Sequence, residues 1–220
     1  MEYQTEKLRN FCLVGHGGVG KTSLCEALLF TSGAVSRLGR VDAGNSTMDC
    51  DPEEIERKIS ISLSIAWFDW KGGFFNVVDT PGYADFAADA VAAVRVADGV
   101  LVLVDSTSGV EVGTERVWEY ADRAALPRLL FLNKLGKDTS DFSGSLKSVR
   151  ESFGEKVVPL VLPVGSGERL EGIVDLLGMK ARYYRNGKVE EGTVPNGLKR
   201  EAEEYREKLV EAVVETDDQL

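Results

Sequence analysis

The stretch that most limits how this chain can fold is Gly15-His16-Gly17-Gly18-Val19-Gly20-Lys21-Thr22. Two glycines separated by four residues and followed by Lys and Thr make the phosphate-loop (P-loop) pattern. Glycine-rich backbone can turn its N–H groups inward as an anion nest, while a following helix presents its positive dipole end to the same oxygens. Lys21 then reaches the outer phosphates as a point charge. The Thr22 hydroxyl is a hard oxygen ligand of the kind Mg²⁺ prefers. Such a loop needs a strand before it and a helix after it. Phe11 to Val14 is a short apolar run suited to a buried strand, and Ser23 to Phe30 carries Leu24, Leu28 and Leu29 at helical spacing.

The 220 residues suffice for one medium α/β domain with an appendage, or for two small domains. An apolar content of 43%, without a long uninterrupted apolar run, points to a soluble protein that does not span a membrane. The first ten residues are charged and lack an apolar signal core, so a cytoplasmic location is expected. Cys12, Cys25 and Cys50 are widely spaced and accompanied by a single His, which argues against a disulfide framework or a zinc site. A net charge of −10 argues against nucleic acid bound nonspecifically by the whole surface, and sequence-specific DNA is not an expected partner. A ribonucleoprotein touched through one local patch is compatible with that charge.

Positions 31–57 are polar and Gly-punctuated, a long loop with a short helix at Pro52 to Arg57. Period-two alternation from Ile59 to Phe68 predicts a strand, Lys71-Gly72-Gly73 a turn, and Phe74 to Val78 a partner strand. That strand runs into Asp79-Thr80-Pro81-Gly82, so a carboxylate stands at the carboxyl end of a buried strand, where open α/β sheets place ligand chemistry. A helix to about Val96, a strand over 99–105, a helix over 112–125 and a strand over 128–133 follow. This alternation implies a mostly parallel sheet with helices on both faces. Asn133-Lys134 ends the last of these strands, again on the ligand edge. Further on, the pattern predicts a helix over 143–153, a strand over 157–164, a short helix around Ile173 to Leu177, a hairpin turning at Asn186-Gly187, and a charged amphipathic helix over 198–220.

The P-loop, Asp79 to Gly82 and Asn133-Lys134 together resemble the translational GTPases. Their spacing, with Val164-Gly165 and the stretch from Gly172 to Tyr184, resembles elongation factor G in particular. The resemblance implies a P-loop GTPase fold over 1–155, lacking its final strand and base-closing loop. It also implies a partial inserted α+β subdomain over 156–220. Proteins of that family are far longer, with further domains that act on the ribosome in translocation or recycling. The implied ligands are GTP or GDP with Mg²⁺, and the implied partner is the ribosome.

Carried over position by position, the resemblance gives the phosphates to Gly15, His16, Gly17, Gly18, Val19, Gly20, Lys21, Thr22 and Ser23. The metal falls to Thr22, Ser60 and Asp79, the last through water, and γ-phosphate sensing to the Gly82 backbone, with Thr80 and Pro81 in the same nucleotide-binding stretch. The base falls to Asn133, Lys134 and Gly136. The segment 49–61 resembles the family's first switch, with Lys58 where the family has Gly, which implies a different switch backbone there. Such switches are ordered by γ-phosphate and Mg²⁺ and released on hydrolysis.

Two departures bear on chemistry. Tyr83 stands where the family has the His that orients the attacking water; a phenol can hydrogen-bond water but supplies no imidazolium charge. With Lys21 it is the catalytic candidate. Gly136 stands where the family has the Asp that accepts two donors from guanine, unless Asp138 fills that place. Two functions stay open: a GTPase switch domain of protein biosynthesis, and a nucleotide-binding module with weak or lost hydrolysis and relaxed base specificity. His16 reads as a loop residue, Gly113 to Arg116 as capping and surface contact, and Trp67 and Trp70 as core or sheet-face aromatics.

Overall fold

A computed structural model describes residues 4–185 and 187–215. It divides into two compact units, residues 1–133 and 134–220. The first holds β1 (Leu8–Gly15), α1 (Lys21–Ser32), α2 (Pro52–Arg57), β2 (Ser64–Trp70), β3 (Gly73–Asp79), α3 (Ala87–Val96), β4 (Gly99–Asp105), α4 (Val112–Arg123) and β5 (Arg128–Asn133). The sheet order is β2-β3-β1-β4-β5, with β2 antiparallel to β3 and every other pair parallel.

Alternation along β1 divides the core between the two faces of this sheet, because successive side chains of a strand point opposite ways. Cys12 and Val14 pack with Ala90, Ala93 and Val94 of α3 and with Val117 and Ala121 of α4. Leu13 packs on the other side with Cys25 and Leu29 of α1. The expected mostly parallel sheet with helices on both faces is what forms. With three parallel pairs in a row, the carboxyl ends of β1, β3 and β4 lie along one edge, where the ligand-bearing turns of open α/β sheets are found.

The strand expected from Ile59 begins instead at Ser64. The N–H groups of Ile61 and Ser62 donate to the Glu54 carboxylate at 2.9 and 3.1 Å, and that of Leu63 to Asp89 at 2.8 Å, so none of the three is free for a ladder. Period-two patterning is satisfied by any extended backbone, paired or not. Trp67 is 59% exposed and stacks on Phe74 with centroids 5.4 Å apart, so it covers the sheet face and is not core.

The second unit holds α5 (Phe142–Phe153), β6 (Val161–Val164), β7 (Gly172–Asp175), β8 (Lys180–Arg185), β9 (Lys188–Gly192) and α6 (Lys199–Val214). Its strands form an antiparallel sheet in the order β6-β7-β8-β9. The short helix expected around Ile173 to Leu177 is strand β7 with the turn that follows it. Ile173 is exposed and Val174 fully buried, the alternation of a strand, and β7 is paired on both sides, with β6 and with β8. The strand expected over 157–164 is confined to Val161–Val164 and belongs to this second sheet. β8 and β9 make the expected hairpin. Asn186, expected in its turn, and positions 216–220, expected in the last helix, lie outside the described residues.

Candidate nucleotide site

The loop between β1 and α1 has the backbone its glycines allow. Gly15, Gly18 and Gly20 have φ of 148°, 75° and 98°, a region closed to most side chains. Gly20 is also the N-cap of α1, and no side chain caps that end, so the first N–H groups of the helix keep their capacity for an anion. Asn133, at the end of β5, donates from Nδ2 to the Val19 carbonyl at 2.8 Å, and its amide is so close that a Cβ on Gly20 would stand 2.5 Å from it. Asn133 therefore braces the loop.

Lys21 is almost fully buried and donates to the carbonyls of Gly15 at 3.1 Å and His16 at 2.9 Å. Burial lowers its pKa to about 8, against the pull of Asp79 and Asp49. Asp79, at the end of β3, is 2% exposed, and neither carboxylate oxygen has a hydrogen-bond partner among the described residues. Burial pushes its pKa up to about 7, while the Thr22 hydroxyl and the Lys21 ammonium pull it back. The Thr22 and Ser60 hydroxyls lie 3.0 Å apart. Thr80 donates to the Leu13 carbonyl at 2.7 Å, which ties the start of the 80–83 turn to β1.

This donor set fits a small hard cation. Two hydroxyls converge near a buried carboxylate whose oxygens are orphaned, and an orphaned buried acceptor calls for a ligand. Among the described residues no group of three His, Cys, Asp or Glu has metal-binding spacing, so hydroxyl oxygens have to contribute here.

The turn after β3 closes on the P-loop. A Cβ on Gly82 would collide with Lys21 Nζ and lie 2.7 Å from the His16 carbonyl and 2.8 Å from Gly17 Cα, so only glycine fits. The Tyr83 ring faces Gly17 and is 46% exposed. His16 lies against Gly113, with its Nε2 3.7 Å from Glu111. The 113–116 stretch accordingly lies within α4 and does not cap it; its glycine makes room for the His16 ring.

Three acidic residues that sequence reasoning did not single out organise the segment carrying Ser60. Glu26 of α1, fully buried, accepts N–H groups from Gly39 at 3.2 Å, Thr47 and Met48 at 3.1 Å, and hydroxyls from Ser46 at 2.7 Å and Thr47 at 3.3 Å. Glu54 of α2 holds the backbone just past Ser60 through the Ile61 and Ser62 N–H groups. Asp49 is buried beside Ser60 with one oxygen orphaned; burial raises its pKa, against a hydrogen bond from Ser60. Lys58 closes α2 at φ 56°, ψ 38°, the left-handed conformation glycine adopts freely, so the local backbone is one that Gly would favour.

In the second unit Lys134 takes φ 63° and its carbonyl accepts the Lys137 N–H at 3.0 Å. Gly136 borders open space, and nothing lies within 4 Å of where its Cβ would stand. Asp138 is 3.4 Å from the Glu168 N–H, a long contact on the turn after β6.

A model of the elongation factor Tu GTP binding domain matches residues 6–216. A protein of Thermus thermophilus of known crystal structure superposes with a TM-score of 0.91 at 38% sequence identity, over 96% of this chain and 32% of that one. The chain thus spans about a third of the length of the protein it matches. Family match, fold and P-loop geometry agree, and the chain belongs to the elongation factor Tu GTP-binding domain family, the translational GTPases.

Proposed function

We propose that this chain is the GTP-binding switch domain of an elongation factor G-like translation factor, in which GTP hydrolysis is coupled to a ribosomal step such as translocation or recycling. The observation that carries the reading is the buried cluster of Lys21, Thr22 and Asp79, met by the half-buried Ser60 hydroxyl, beside a helix N-terminus capped by no described side chain. The P-loop N–H groups and Lys21 bind the phosphates. Thr22, Ser60 and Asp79 hold Mg²⁺, which when bound offsets phosphate charge. Gly82 reports the γ-phosphate to the 80–83 turn, and Tyr83 orients water by hydrogen bonding. Asn133 holds the loop, and Lys134 and Gly136 meet the base. In this reading positions 156–220 are the start of an inserted subdomain, the partner is the ribosome, and the location is the cytoplasm.

A second reading, a nucleotide-binding module with weak hydrolysis and relaxed base choice, is favoured by Tyr83 and Gly136, which lack the charges expected at those positions. Single-turnover GTP hydrolysis with and without ribosomes decides between them. Ribosome-stimulated turnover supports the switch domain. Tight binding without turnover in a longer version of the protein supports the module.

A further inference from the structure

We infer that Gly17 is the seat of the Tyr83 ring, so that residues 17 and 83 form one unit and the missing Cβ at position 17 fixes where the phenol lies. A Cβ built on Gly17 would stand 3.0, 3.1 and 3.3 Å from the Cζ, Cε1 and Cε2 atoms of Tyr83, and those ring atoms are its three nearest neighbours. This glycine differs in kind from the others of the loop. Gly15, Gly18 and Gly20 have positive φ and are needed for backbone shape, whereas Gly17 does not, so alanine is conformationally allowed there. What an added methyl meets first is the Tyr83 ring. Because that ring is nearly half exposed, it can yield by a few tenths of an ångström toward solvent without disturbing the core.

The neighbouring contact reinforces the pairing. Gly82 also rests on Gly17, so the 82–83 backbone is pinned to the loop and the ring has little freedom except about its own side-chain torsions. A side chain at 17 therefore redirects the phenol without releasing the turn. The inference rests on the proposed function only where it concerns hydrolysis; placement of the ring is independent of it.

The test is a Gly17→Ala substitution combined with Tyr83→Ala. The ligand-free protein is labelled with 3-fluorotyrosine, and the Tyr83 ¹⁹F resonance is assigned by its loss in Tyr83→Phe. Gly17→Ala should move that resonance and leave the remaining tyrosines where they are. Single-turnover hydrolysis of GTP by the same chain supplies the second readout. Gly17→Ala should slow it by roughly threefold or more with Tyr at 83 and by less than about 1.5-fold with Ala at 83, the non-additivity expected of contacting residues. An unmoved resonance overturns the inference, as does, where Tyr83→Ala itself slows hydrolysis, a Gly17→Ala effect of equal size in both backgrounds. A moved resonance with hydrolysis indifferent to Tyr83→Ala supports the seat and removes the role of Tyr83 in the reaction, so the two failures are distinct.

Discussion

Replacing Glu26 by Gln should free the 39–48 loop while leaving the sheet intact. In the structure one carboxylate oxygen takes the Ser46 hydroxyl and the Thr47 and Met48 N–H groups, and the other takes the Gly39 N–H and the Thr47 hydroxyl. Glutamine keeps one acceptor and turns the other into a donor. The less costly orientation keeps the oxygen facing Thr47 and Met48 and points the amide at Gly39, because the Thr47 hydroxyl can rotate to accept whereas the Gly39 N–H cannot. One hydrogen bond to a charged group is lost, and one buried donor is left facing another. Together these cost about 2–4 kcal/mol. The loop can open without unfolding the sheet, so the loss appears as local exchange. Amide hydrogen exchange at Gly39, Thr47 and Met48 should accelerate roughly 30- to 1,000-fold in Glu26→Gln, with β1 and β4 unchanged. Equal protection of these amides in mutant and parent would refute the idea that Glu26 holds the segment preceding Ser60. Equal acceleration throughout β1 and β4 would show that Glu26 serves the whole core instead.

Gly136→Asp has open space to enter, and it should raise the preference for GTP over ATP by about tenfold, one recovered charge-assisted contact, in competition binding. If Asp138 already meets the base, Asp138→Asn should weaken GTP binding and Gly136→Asp should add little. The raised pKa of Asp79 also carries a sign. Folded protein holds a proton that the unfolded chain, with an ordinary carboxylate near 4, has released, so without nucleotide and metal stability should fall as pH rises from about 4 to about 7. Asp79→Asn removes that dependence, and its urea midpoint should gain on the parent's across the window. Readings stop short of pH 8, where Lys21 begins to titrate with the opposite trend; a pH-independent difference between the two proteins would contradict the assignment.

The parts of this molecule legible in sequence are those written in local pattern. The strands Gly99–Asp105 and Arg128–Asn133 and the helix Pro52–Arg57 lie where the sequence pattern places them. Gly15 to Thr22, Asp79 to Gly82 and Asn133 are motifs of adjacent residues, and the fold carries all three in the first unit. What escaped is made by side chains reaching backbone far along the chain. Glu26 answers N–H groups 13 to 22 residues away, and Asp89 caps Leu63 from 26 away. No periodicity records such partners. The same alternation that marks Ser64 to Trp70 also runs through Ile59 to Leu63, where carboxylates have taken the N–H groups of Ile61, Ser62 and Leu63. The Gly17–Tyr83 contact depends on two turns meeting, which neither turn announces by itself.

Titration calorimetry of GTP with Mg²⁺ into the parent and into Lys21→Ala asks whether the buried lysine and the P-loop bind a nucleoside triphosphate. Lys21 sits with both its hydrogen bonds on loop carbonyls, so its removal takes the cation from the loop but leaves the flanking strand and helix their own contacts. A phosphate site built on Lys21 predicts saturable binding by the parent and a loss of at least about 100-fold in the mutant, near 2.7 kcal/mol, with an unchanged circular dichroism spectrum. A folded Lys21→Ala protein that binds GTP as tightly as the parent would contradict it.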